Sequence, residues 1–204
     1  MTAARRAVVV GGSLAGATAV DELRAQGWDG SITLVGDEPR PAYARPPLSK
    51  GVLKDTEAAD SVLLPATGEA EVLLGVTATG LDLDARRVRV TDGGSHPYDL
   101  AYDKLVIATG ARARPLGHPG ERVLRTLDDA LRLRTELARA ESLLVLGGGF
   151  LGMEIASAGT ELGLSVTVVD VRQPLVSSLG PYWPRCSRRP PGSGGYGWWW
   201  HRTG

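Results

Sequence analysis

The chain has 204 residues, enough for one large or two small domains with a real core. Its 23 Lys and Arg balance 23 Asp and Glu, so charge gives no reason to expect nucleic acid or an anionic membrane as the main partner. No apolar run approaches the roughly 20 residues of a membrane helix, and the run after the first arginines is too short for a signal-peptide core, so a cytoplasmic location is expected.

Ala7-Val-Val-Val10 is a short apolar run that ends in glycine and reads as a buried parallel strand. From Leu14 to Gln26 apolar residues recur at helical spacing, and Gly27 supplies the stop. Ile32-Thr-Leu-Val35 is a second strand, which completes a βαβ unit. The Pro-rich stretch 39–50 is irregular. Residues 76–91 alternate and are followed by the turn signal Asp92-Gly-Gly94, which predicts an antiparallel meander. Leu105-Val-Ile-Ala108 reads as another buried strand, and residues 112–125 as a polar connector. Thr126-Leu-Asp-Asp129 is a capping box with Asp in place of Glu, opening a helix to about Ala140. The first pattern then repeats: strand Leu143–Leu146, glycine turn Gly147–Gly152, helix Met153–Leu162 and strand Val166–Val169.

The predicted class is therefore α/β, with two Rossmann-like dinucleotide-binding units on parallel sheets, an antiparallel β-meander and an incomplete C-terminal half. The expected division is 1–115 for the first unit, 116–181 for a partial second unit and 182–204 for an aberrant, disordered tail. That tail holds four of the five tryptophans and the single cysteine, Cys186, and carries no helical or strand period. It is expected to be an accident of the reading frame, with the rest of a longer protein missing.

The first glycine loop comprises Gly11, Gly12, Ser13, Leu14, Ala15 and Gly16 between a strand and a helix. Gly11 permits a tight turn, the small residue at 13 lets backbone approach a diphosphate, and Gly16 lets the helix pack close to the strand. The helix amino end then presents N–H groups and a positive dipole end to the phosphates. Asp37 or Glu38, after the second strand, is placed to accept from a ribose diol. The second loop is a complete GxGxxG in Gly147, Gly149, Phe150, Leu151 and Gly152. Asp170 closes the strand after it and favours the ribose hydroxyls of NADH, while Arg172 softens that preference and leaves NADPH open. Two such loops imply two dinucleotides, one flavin and one nicotinamide, and hence hydride transfer. His96, His118 and His201 lie in turn or tail contexts and are given no catalytic role.

Arg45-Pro-Pro-Leu-Ser-Lys50 makes the pattern specific. With Val35-Gly-Asp-Glu38, Ala108-Thr-Gly110, Leu124-Arg-Thr-Leu127 and Gly147-Gly-Gly-Phe-Leu-Gly-Met-Glu154, the chain resembles the NADH-dependent ferredoxin reductases of the pyridine nucleotide-disulfide oxidoreductase superfamily, over about residues 5–180. It departs from them at Ala42-Tyr-Ala44, where Pro-Tyr-Asp is usual, and is shorter over 64–74. The resemblance implies FAD contacts at Ala15, Asp37, Lys50, Ala78 and Arg125, with Arg45, Ala108, Thr109 and Gly110 lining the same cofactor. It implies NADH contacts at Gly147–Gly152 and Asp170, and a Lys50–Glu154 pair beside the flavin ring as the catalytic residues. No metal ligand is implied. Chemically, a lysine near the flavin stabilises the negative charge arriving with a hydride, and a carboxylate holds that ammonium in place. The implied acceptor is a small iron–sulfur ferredoxin serving a monooxygenase or dioxygenase. The absence of cysteine between Arg40 and Lys54 argues against a flavin-coupled dithiol. Two alternatives stay open: a related reductase with another acceptor, such as rubredoxin or a nitrite reductase, and a remnant that binds a nucleotide without turnover.

Overall fold

A computed structural model describes residues 5–94, 96–180 and 197–200. The chain clusters into two compact units, Met1–Ala44 with Val62–Arg112, and Arg45–Ser61 with Ala113–Gly204. The units do not follow the contiguous division expected at about residue 115, because Arg45–Ser61 leaves the first and joins the second. Its Leu48, Val52 and Leu53 are buried, which is where an apolar segment of a Pro-rich loop gains most.

In the first unit, β1 (Arg6–Val10), α1 (Leu14–Ala25) and β2 (Ser31–Gly36) form the predicted βαβ unit. The helix stops as expected: Gly27 takes a φ of 81°, and Trp28 N donates to Leu23 O at 2.9 Å. β1 pairs in parallel with β2 on one side and with β7 (Lys104–Ile107) on the other. β3 (Glu71–Leu74) extends the sheet beyond β2, giving the order β3-β2-β1-β7. β4 (Thr77–Asp82), β5 (Arg87–Thr91) and β6 (Tyr98–Ala101) form the separate antiparallel meander, with a bulge between Ala78 and Gly80.

The two-residue period of β1 explains the layering. Ala7 and Val9 face α1 and pack with Val20, Ile32 and Leu34. Val8 and Val10 face the meander and pack with Val35, Val88, Val90 and Tyr102. The parallel sheet is thus covered on both faces, as its unbroken apolar strands require.

In the second unit, α2 (Leu127–Leu137) opens on the expected capping box: Asp129 N donates to Thr126 Oγ1 at 3.1 Å, and Thr126 N donates to Asp129 Oδ2 at 2.8 Å. β8 (Ser142–Leu146) and β9 (Ser165–Asp170) pair in parallel around α3 (Phe150–Glu161). Leu143, Val145, Val166 and Val168 belong to the core beneath α3. α4 (Val176–Leu179) follows as a single turn.

Three expectations need correction. Helix α3 starts at Phe150, three residues before Met153, because Gly149 already serves as its N-cap. The strand read as buried at Leu105–Ala108 is covered unevenly, with Ile107 on β7 65% exposed. Within the stretch expected to be a disordered tail, Gly197–Trp200 forms β10, parallel to β9. Aromatic residues favour extended backbone, and β9 offers them a row of ladder groups. The remainder of that stretch, residues 182–196 and 201–204, with Cys186 and His201, lies outside the described residues. No described helix is long and apolar enough to cross a membrane.

Ile32 is 2% exposed, so Ile32→Ala is expected to lower stability by about 2–5 kcal/mol in urea denaturation. Leu144→Ala, on the open face of β8, is expected to change stability by under about 1 kcal/mol in the same assay.

Candidate functional site

The first glycine turn is closed by backbone. Gly11 N donates to Val35 O at 2.8 Å, and Ala108 N donates to Val10 O at 2.7 Å, so the ends of β1, β2 and β7 meet at the turn. Ser13 is the N-cap of α1, but no side-chain capping bond closes this amino end and no acidic residue stands in its first turn. Leu14 and Ala15 are exposed there, while Gly16 is buried. A Cβ on Gly16 would stand 1.8 Å from Gly11 O, so only glycine lets α1 approach the turn this closely.

Asp37 and Glu38 follow β2 and diverge. Asp37 is exposed and receives the Arg112 guanidinium at 3.2 Å. Glu38 accepts from the phenol of Tyr43, which is itself buried. Neither Tyr43 nor Arg112 was anticipated. The signal for each was proximity in sequence alone, Tyr43 to the RPPLSK motif and Arg112 to the Thr109-Gly110 strand end. Ala78 on β4 lines an apolar cleft of about 210 Å³ with Val10, Val88, Leu105 and Ile107. Thr109 and Gly110 lie exposed just past β7.

The second unit holds the predicted catalytic pair. Pro46–Ser49 forms a 3₁₀ turn with proline at its start, lying against α2 and α3. The next residue, Lys50, reaches Glu154 Oε2 on α3 at 2.8 Å, and its ammonium also donates to Pro46 O at 3.1 Å. The hydroxyl of Ser49 donates to the same Glu154 oxygen. Burial raises the Glu154 carboxyl, but the Lys50 and Ser49 hydrogen bonds and the Lys50 charge outweigh it and hold it below its ordinary value. Ser49 was missed from the sequence, since a serine beside a motif lysine carries no distinguishing signal. Arg45 donates to the Arg125 carbonyl at 2.7 Å, which brings two further predicted residues together. Lys54–Glu161 and Arg134–Asp55, both at 2.6 Å, tie the same segment to α3 and α2.

The second glycine turn repeats the first. A Cβ on Gly152 would lie 1.9 Å from Gly147 O, whereas one on Gly149 would meet open space. Phe150 and Leu151 are exposed at the amino end of α3, which has neither a side-chain cap nor an acidic first turn. Asp170 Oδ2 accepts from Gly148 N at 2.6 Å and Oδ1 from Arg172 N at 3.1 Å, so the carboxylate is pinned over the turn. Gly148 fills the free position of the motif for a reason not visible in the sequence. Pro174 abuts it, with its Cα 2.9 Å from where a Cβ would be.

Two βαβ units, each with a glycine turn against the amino end of its helix and an acid after its second strand, define a Rossmann-type α/β nucleotide-binding architecture. Residues 5–188 match the pyridine nucleotide-disulphide oxidoreductase family, and the chain belongs to it. It is 40% identical over 176 residues to the ferredoxin reductase component of chlorobenzene dioxygenase from Cupriavidus sp. (strain PS12), covering 82% of this chain and 42% of that protein. It is 39% identical over 183 residues to rhodocoxin reductase from Rhodococcus erythropolis, covering 84% of this chain and 42% of that protein. Among solved structures, the covalent putidaredoxin reductase–putidaredoxin complex aligns with a TM-score of 0.75 at 35% identity, over 89% of this chain and 48% of the matched one. The chain thus spans less than half the length of these relatives.

Because Glu154 is held below its ordinary value of 4.5, its contribution to stability is complete above that pH. It is lost as pH falls through the lowered folded value. Glu154→Gln is therefore expected to cost stability at about pH 7 and progressively less as pH falls below 4.5, read as the difference in urea midpoint from the parent chain.

Proposed function

We propose that this chain forms the FAD- and nicotinamide-binding portion of a cytoplasmic flavoprotein. In this reading the flavoprotein takes hydride from NADH and passes electrons to a 2Fe–2S ferredoxin serving a monooxygenase or dioxygenase. The observation that carries the reading is the Lys50–Glu154 pair at 2.8 Å, formed between a 3₁₀ turn and the helix that starts in the GxGxxG loop. The ferredoxin reductase names of the similar proteins support the choice of acceptor class.

The residues fit two dinucleotides. Helices α1 and α3 lack side-chain caps and acidic first turns, while α2 has both and is thereby already satisfied. An uncapped helix amino end favours a diphosphate anion. The turn Gly11–Gly16 would hold FAD, with Asp37 on its ribose and Arg45, Lys50, Ala78, Ala108, Thr109, Gly110 and Arg125 as further contacts. Gly147–Gly152 would hold NADH, with Asp170 accepting from its ribose hydroxyls. The pinned Asp170 carboxylate opposes a ribose phosphate, which favours NADH over NADPH.

When bound, FAD supplies a carrier that accepts a hydride and releases electrons singly. Lys50 sets a positive charge where negative charge accumulates. Glu154, ionised and doubly bonded, keeps that ammonium from relaxing into solvent.

The purified chain with added FAD is expected to show resolved flavin absorbance, bleached by NADH under anaerobic conditions. Lys50→Met is expected to keep FAD bound and slow the bleaching on the order of 100-fold. A folded chain that takes up no FAD would sink the reading. FAD uptake without reduction by NADH would favour a nucleotide-binding chain without turnover. Mixing the reduced protein with a 2Fe–2S ferredoxin or a rubredoxin tests the acceptor.

A further inference from the structure

Ser49 is 3% exposed, a small hydroxyl among buried residues that are otherwise apolar or aromatic. A buried hydroxyl is retained where it has an acceptor that matters. It has one proton to donate and two acceptors in reach, Pro46 O at 3.5 Å and Glu154 Oε2. The first lies at the limit of a hydrogen bond, while the second is an ionised oxygen on a helix 105 residues away in sequence.

We propose that Ser49 is a positioning residue for the Lys50–Glu154 pair: its hydroxyl fixes the Glu154 carboxylate so that the Lys50 ammonium stands at one place. Two donors, Ser49 Oγ and Lys50 Nζ, converge on the same oxygen, Oε2. Glutamate has three rotatable angles and lysine four, and both groups here are partly exposed; the ammonium has a second anchor in Pro46 O at 3.1 Å, so the carboxylate is the partner that the ion pair alone would leave mobile. Ser49 is the rigid member of the trio. Its backbone belongs to the 3₁₀ turn started by Pro46 and Pro47, and the neighbouring Leu48 is buried. The turn transmits that rigidity to the carboxylate, and the carboxylate to the ammonium. Among the described residues, Lys50 is the charged group that acts on Glu154, so a change at Ser49 is read out without competing charges.

This rests on the reading of Lys50 and Glu154 given under Proposed function, but its test needs no flavin. The full chain, carboxyl-labelled at glutamate with ¹³C, is titrated by NMR, and the Glu154 resonance is assigned by its loss in Glu154→Gln. Ser49→Ala is expected to move the Glu154 midpoint up, by roughly half a pH unit, because a bond to the charged form is lost. Ser49→Thr, which keeps the hydroxyl, is expected to restore it. An unmoved midpoint in Ser49→Ala overturns the proposal, and so does an equal shift in Ser49→Ala and Ser49→Thr, which would mark a packing effect. A double-mutant cycle supplies a second reading. The urea midpoint lost on Ser49→Ala should shrink in a Glu154→Gln background, and an undiminished loss there overturns the proposal as well. If the NMR result holds and FAD does not bind, the flavoprotein reading fails and the positioning role stands.

Discussion

The structure depends on how closely a helix can approach the turn that precedes it. At Gly16 and again at Gly152, the place a Cβ would take lies under 2 Å from the carbonyl oxygen of the glycine five residues earlier. Any side chain would lever the helix away from its strand. The amino ends of α1 and α3 would then no longer point at the turns, and the apolar residues one turn further along, Val20 in α1 and Ala156 in α3, would leave the sheet they pack against. Burial and the close approach of each helix amino end to its turn thus make the same demand on one atom, which is why the motif recurs with the same close contact although its middle residue is Ser13 in one copy and Gly149 in the other.

The Pro-rich segment is the second determinant. Its ion pairs with α2 and α3 are mostly between half-exposed groups, and such pairs contribute little to stability. Leu48, Val52 and Leu53, fully buried, carry the docking through area removed from water. The polar links then act on geometry: they decide where Lys50 points once the apolar residues have decided that the segment stays. That separation of roles fits a site in which a charge must be placed and not merely present.

Much of this was legible in the sequence because it is local. Apolar runs, glycine stops and the Thr126–Asp129 capping box each depend on a few neighbouring residues, and they placed α1, α2, the meander and both βαβ units. The start of α3 was not legible, since GxGxxG reads as a turn throughout although its last three residues are helical. β3 was missed because Glu71-Val-Leu-Leu74 is too short to show a period and exists by pairing with β2 across 38 residues. Within the candidate site, Lys50, Glu154 and Asp170 stood out by motif. Ser49 and Arg112 did not, because their contacts lie 105 and 75 residues along the chain, Tyr43 did not because nothing in the irregular Pro-rich stretch shows that its phenol turns back to Glu38, and Gly148 owes its identity to Pro174.

The two units solve the same packing problem unequally. A parallel sheet with unbroken apolar strands is stable when both faces are covered. In the first unit the residues of β1 divide between α1 and the meander, and each face has its own core cluster. In the second, the inward set Leu143, Val145, Val166 and Val168 meets α3, while the alternate set Leu144, Leu146 and Val169 is solvent-facing. Half of the apolar potential of that sheet is therefore unspent within the described residues. The second unit consequently leans more heavily on its other contacts, the buried face of α2 and the apolar anchors of Arg45–Ser61. The segment that presents Lys50 thus also buries Leu48, Val52 and Leu53 in the unit that holds Glu154, so the residues that fix the geometry of the pair also contribute to the stability of the unit.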